Sequence, residues 1–134
     1  MRLLLDTHVL LWAAGTPQRL SSEIAAQLGD QENTLLFSAA SIWEICIKCS
    51  LSRSDFRIDA GILKRGLIDN GYLETPITSR HLIISGFLPP IHKDPFDRVL
   101  IAQAIEEEAL LLTVDEVVGQ YPGPIRQIEV HHEG

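Results

Sequence analysis

Two short runs built almost wholly of apolar residues, Leu3-Leu4-Leu5 and Leu110-Leu111-Leu112-Thr113-Val114, constrain this chain more than any other feature. A strand with one wet face alternates apolar and polar residues. A strand apolar throughout must be covered on both faces, which is the mark of a parallel sheet between helical layers. Leu35-Leu36-Phe37 repeats the pattern. Helical patterning fills the intervals. It runs from Thr7 to about Ala14, from a Ser21 or Ser22 cap through Leu28 to Gly29, and from a Ser38 cap through Lys48, with Ile42, Ile45, Cys46 and Cys49 on its apolar face. It resumes from Asp59 to Asn70, closed by Gly71, from Thr78 to near Gly86, and from Asp94-Pro95 through Ile101, Ala104 and Ile105 to Glu108. Small polar residues at the starts and glycine at the ends are the expected helix stops. Tyr72 to Ile77 and Arg126 to Val130 read as further strands, and Gly119 to Gly123 as a turn. Leu88-Pro89-Pro90-Ile91 reads as a rigid, extended approach, and Ser50 to Arg57 as a polar loop. Strands alternating with helices predict an α/β fold, a three-layer α/β/α sandwich with a central, mainly parallel sheet.

The 134 residues suit one domain, and no repeat, linker or low-complexity segment divides them. Residues 131–134, His-His-Glu-Gly, are expected to form a loose tail. The first residues, Met-Arg-Leu-Leu-Leu-Asp, carry charge too early for a signal peptide, and no apolar run is long enough to span a bilayer, so a cytoplasmic protein is expected. A formal charge of −7 argues against tight, non-specific nucleic-acid binding, although bound metal would offset part of it. Cys46-Ile-Lys-Cys49 is formally a C-x-x-C, but it falls late in a helix rather than at the N-terminus that favours a thiolate. A structural zinc site would need two more ligands, and none is evident.

Four acids stand where strands or apolar runs give way to helices: Asp6, Glu44, Asp97 and Asp115. In an open parallel sheet, ligands collect outside the carboxyl ends of the strands. Acids converging there repel one another unless a cation lies between them, and carboxylate oxygens suit Mg²⁺ or Mn²⁺. Each acid also has a structural explanation. Asp6 can cap the helix beginning at Thr7, Asp94 can cap the one whose first residue is Pro95, and Asp97 then falls at its third position. Glu44 can pair with Lys48 one turn on, and Asp115 can cap a short turn. Taken together these explanations weaken. Asp6 and Asp115 both follow apolar strands, and Glu44 lies between Trp43 and Ile45, an apolar setting for a merely solvated acid.

The segments Leu-Leu-Asp-Thr-His-Val-Leu-Leu-Trp (4–12), Ser-Ala-Ala-Ser-Ile-Trp-Glu-Ile (38–45), His-Lys-Asp-Pro-Phe-Asp-Arg-Val-Leu-Ile-Ala-Gln-Ala (92–104) and Leu-Leu-Thr-Val-Asp (111–115) resemble the PIN-domain family. Within it they resemble toxin ribonucleases of the VapC type, in order and over nearly the whole chain. The resemblance implies a Mg²⁺- or Mn²⁺-dependent endoribonuclease that hydrolyses RNA phosphodiesters with metal-activated water. The matching acids are Asp6, Glu44, Asp97 and Asp115, with Thr7 and Thr113 as supporting hydroxyls. Glu116 directly follows Asp115, which leaves two adjacent places for the fourth acid. The resemblance also implies a homodimer held in check by a small antitoxin protein. Asp94 is given a secondary role, and Arg98 either touches a phosphate or is a solvent-exposed helix residue. Lys48, Arg53, Arg57, Lys64 and Arg65 are the one basic concentration that could guide RNA, a solvated surface being the alternative.

Other readings compete. A haloacid-dehalogenase-type phosphatase needs Asp-x-Asp after its first strand, and His8 occupies the second place. A receiver domain needs an acid where the middle strand ends in Leu-Phe-Ser38. A PIN nuclease without an antitoxin, or a PIN-like protein that only binds or regulates, stays open. The second would have no need of the acids.

Overall fold

A computed structural model describes residues 1–51 and 58–129 of the chain. Among these, strands β1 (Arg2–Leu5), β2 (Thr34–Ser38), β3 (Leu73–Thr75), β4 (Leu110–Thr113) and β5 (Ile125–Gln127) form one sheet in the order β3-β2-β1-β4-β5. Every pairing is parallel. The first strand is thus the central one, with Leu3 opposite Leu35 on one side and Leu110 on the other.

The helices are α1 (Thr7–Gly15), α2 (Ser22–Gly29), α3 (Ala39–Leu51), α4 (Ala60–Asp69), α5 (Ser79–Gly86) and α6 (Pro95–Glu106). Alternate residues of each strand enter opposite cores. Leu3, Leu5, Phe37 and Leu112 pack with Val9 and Leu10 of α1, Ile24 of α2 and Leu67 of α4. Leu4, Leu36 and Leu111 pack with Ala40 of α3 and with Leu100, Ile101 and Ala104 of α6. This two-sided burial is why the strands carry no polar face. None of the helices is long and apolar enough to cross a membrane.

Capping sets the helix starts as the sequence suggests. Ser21, Asp59 and Thr78 accept from the backbone of Ile24, Ile62 and His81, and Ser38 accepts from Ala40 N. Four expectations need amendment. Leu88 to Ile91 is not extended: Ile91 N donates to Pro89 O at 2.8 Å and closes a tight turn. The strand expected from Tyr72 to Ile77 is only Leu73–Thr75, and the last strand begins one residue early, at Ile125. The inward face of α3 is Ala40, Ser41, Glu44 and Ile45, while Cys46 is exposed. A buried glutamate has displaced the cysteine stripe that periodicity alone would choose. Most of the expected Ser50–Arg57 loop, and the 131–134 tail, lie outside the described residues.

Candidate functional site

The carboxyl edge of the sheet is marked by buried polar residues. Asp6 follows β1, and Ser38, Thr75 and Thr113 end β2, β3 and β4. Buried polar groups need partners. Asp6, only 3% exposed, caps α1 through Oδ1, which accepts from Val9 N at 2.9 Å. Its Oδ2 accepts from Thr113 Oγ1 at 2.5 Å. The same hydroxyl accepts from Asp115 N at 3.0 Å. One threonine at the end of β4 therefore ties the acid after β1 to the acid after β4.

Thr7 does a similar service for α3. Its hydroxyl donates to Glu44 Oε1 at 2.7 Å and lies 2.9 Å from Ser41 Oγ. Glu44 is buried, and its other oxygen meets Lys48 Nζ at 2.7 Å. Both readings of Glu44 are thus realised in one side chain: an ion pair along the helix and an inward carboxylate beside Asp6's neighbour. Trp43 does not share that burial, being 60% exposed, so the apolar setting is one-sided.

Asp94 caps α6, with Oδ1 accepting from Phe96 N at 2.9 Å and from Asp97 N at 3.5 Å. This capping leaves Asp97 on the first turn of α6, half-buried among other acids. Burial, and then the charges of Asp94, Asp115 and Asp6, push its carboxyl up to about 7, against the opposing pull of His92. Burial likewise raises Asp6 above the ordinary carboxylate range. Asp115 uses Oδ1 to accept from Val117 and Val118, capping the turn that follows, while Oδ2 lies 3.6 Å from His92 Nε2. Glu116 is exposed. Of the two adjacent acids, Asp115 is the one that faces the others.

His92 is the residue that sequence reasoning passed over. Its Nδ1 accepts from Asp94 N at 3.4 Å, and its backbone N donates to Tyr121 Oη at 2.6 Å. Its Nε2 is buried 2.9 Å from Asp97 Oδ2 and 3.6 Å from Asp115 Oδ2, between the two acids. His92, Asp94 and Asp97 each offer one donor atom within 4.8 Å of the others. The spacing His-x-Asp-Pro-x-Asp carried the signal: a helix cap between two ligand-type residues in one block.

The crowded carboxylates, with the imidazole of His92 beside them, fit a divalent cation better than they fit a bare protein. Asp97 and Asp6 are held largely out of water beside like charges, a situation a cation would relieve.

Arg98 is not a freely solvated helix residue: its guanidinium is occupied by the protein's own acceptors. Its Nη1 donates to Pro89 O, His92 O and Tyr121 Oη, and its Nη2 donates to Ser85 O and Leu88 O. The guanidinium is a clasp on the turn that carries His92. The basic concentration is also divided. Lys48 is paired with Glu44 and Lys64 with Glu74, Arg65 is exposed, and Arg53 and Arg57 lie outside the described residues.

A parallel sheet with acids gathered at its carboxyl edge is the architecture of the family that the sequence itself matches. The PIN-domain family model matches residues 3–123, and the chain belongs to the PIN-domain family. PIN domains are in general nucleases. Among solved structures, the chain is similar to VapBC2 from Rickettsia felis bound to a DNA fragment from their promoter. That match has 16% identity and a TM-score of 0.71, and covers 96% of this chain and 100% of the other. DNA-bound VapBC from Salmonella typhimurium is similar at 12% identity and a TM-score of 0.63, over 95% of this chain and 98% of that one. VapBC-1 from nontypeable Haemophilus influenzae follows at 16% identity and 0.58, over 90% and 91%. At such identities the likeness is one of fold. A comparison with curated proteins gave no sequence match.

Proposed function

We propose that this protein is a divalent-metal-dependent endoribonuclease of the VapC toxin kind, acting in the cytoplasm and restrained by a small antitoxin protein. The observation that carries the reading is the convergence of Asp6, Asp97 and Asp115 from three separate segments, with Thr113 bonded to two of them. Membership of a nuclease family supplies the reaction class. The VapBC complexes among its structural relatives support an antitoxin partner, and a homodimer accords with the toxin reading.

In this reading Asp6 and Asp97 hold the ion, and Asp115 and Glu44 complete the acidic wall. Bound Mg²⁺ or Mn²⁺ supplies an activated water and neutralises charge on the phosphate oxygens. Thr113 and Thr7 fix the rotamers of Asp6 and Glu44, so that the oxygens keep their places before substrate arrives. Asp94 holds the start of α6 and hence the position of Asp97.

The test is cleavage of a panel of labelled transfer and ribosomal RNAs by purified protein freed of any partner, with Mn²⁺, with EDTA, and with Asp97→Asn. Discrete cuts that need the metal and vanish in the mutant are expected. Folded, metal-loaded protein that cuts nothing would favour a PIN-like binding protein instead.

A further inference from the structure

Glu44 differs from the other acids of the sheet edge in having its counter-charge built in. Its Oε2 meets Lys48 Nζ at 2.7 Å, and its Oε1 accepts from Thr7 Oγ1 at 2.7 Å. Both carboxylate oxygens are thus engaged before any ion arrives. Among the described residues, no lysine or arginine forms an ion pair with Asp6, Asp97 or Asp115. The acids whose charges raise the Asp97 carboxyl are Asp94, Asp115 and Asp6, and Glu44 is not among them. The edge therefore divides in two. Asp6, Asp97 and Asp115 lack a fixed cation, and Glu44 has one.

An ion pair one turn apart on an exposed helix face contributes little and is screened by salt. This pair is placed otherwise. The Glu44 side chain is only 7% exposed, with the buried Thr7 hydroxyl on its other oxygen. A carboxylate taken that far out of water needs a positive partner. A divalent ion on Oε2, at the roughly 2.0–2.1 Å that Mg²⁺ demands, would lie within about 5 Å of the ammonium and be repelled by it. We infer that the Lys48 ammonium occupies the place at Glu44 that a second divalent ion would otherwise take, so that the site works with one ion, on the side of Asp6, Asp97 and Asp115. This rests on the metal-nuclease reading and specifies its cofactor count. Two-ion sites clamp a phosphate between cations about 3.5–4 Å apart. Here one of the two cations is a side chain. With that side chain 46% exposed, Lys48 can neutralise Glu44 and still meet a phosphate oxygen.

The test counts ions. Mn²⁺ bound to the whole, partner-free chain is measured by equilibrium dialysis, and its environment by electron paramagnetic resonance. Wild type and Lys48→Arg should bind one Mn²⁺, with the spectrum of an isolated ion. Lys48→Met and Lys48→Gln strip the charge and keep most of the length. Both should bind two, with the spectrum of a magnetically coupled pair. Adding Glu44→Gln to either should return the count to one. A merely structural helix pair would lower the melting temperature of the neutral variants and leave their count at one, and that result overturns the inference. So do two ions in wild type, or a second ion that survives Glu44→Gln. The same preparations are tried on labelled RNA. If wild type cuts RNA while the neutral variants still bind one ion, the assignment of Lys48 fails alone. If the counts are one and two as expected and nothing is cut, the nuclease reading fails and the assignment stands. Wild type that binds no Mn²⁺ overturns both.

Discussion

Asp97 concentrates the electrostatics of the site in one side chain. Its carboxyl, pushed up to about 7 by burial and by neighbouring acids, keeps a proton that the unfolded chain releases near pH 4. Between those values the folded protein binds more protons than the unfolded one, so metal-free stability should fall as pH rises from about 4 to 7 and level off above that. Asp6, raised by burial, works in the same direction. Asp97→Asn should therefore abolish cleavage, raise the melting temperature of metal-free protein at pH 8, and flatten the pH slope. Thermal melts at pH 5 and pH 8 in EDTA check this, and an unchanged slope would remove Asp97 from the account. Asp6 and the cap at Asp94 could be placed from sequence because a strand end and a proline fix where each must lie, whereas Thr7 and Thr113 were marked only by the family resemblance. His92 was passed over although its spacing to Asp94 and Asp97 is local, because its setting also depends on Tyr121, 29 positions on, as well as on Arg98.

Among elements, the segment from Ser85 to His92 shows most clearly what periodicity leaves out. Two consecutive prolines suggest extended chain, but a guanidinium from α6 gathers the carbonyls of Ser85, Leu88, Pro89 and His92 and bends the segment round itself. Arg98→Ala would leave those carbonyls short of donors. Hydrogen bonds to a charged group are worth about 1.5–3 kcal/mol, so the melting temperature should fall by roughly 5–10 °C. Activity should drop as His92 and the start of α6 lose their setting. Arg98→Lys, lacking the planar fork, should recover little of either. Calorimetry with cleavage assays on both variants decides between this clasp and a phosphate contact, which would leave stability unchanged. The helices and the three central apolar strands were legible because the helices' period and caps, and the strands' unbroken apolar runs, are local. The short edge strands β3 and β5 were mis-bounded because their ends are set by pairing partners.

For the molecule as a whole, the prediction concerns the cation. An ion that binds only the folded state stabilises it by about 2.7 kcal/mol at a hundred times its dissociation constant. Mn²⁺ should thus raise the melting temperature at pH 8, EDTA should reverse the rise, and Asp97→Asn should lose most of it. Scanning fluorimetry across a Mn²⁺ titration reads all three, and a flat titration of wild type would argue for the binding-protein alternative.

The central place of β1 has a consequence for how the chain comes into being. Its neighbour β2 leaves the ribosome early, but its other neighbour, β4, begins only at Leu110. Parallel strands so far apart in sequence pair late, after the intervening loop entropy has been met. The bond from Thr113 to Asp6 spans 107 positions, so the acids stay scattered until β4 has been made and docked. In the nuclease proposed above, a nascent chain that has not yet made β4 would therefore lack an assembled acidic site.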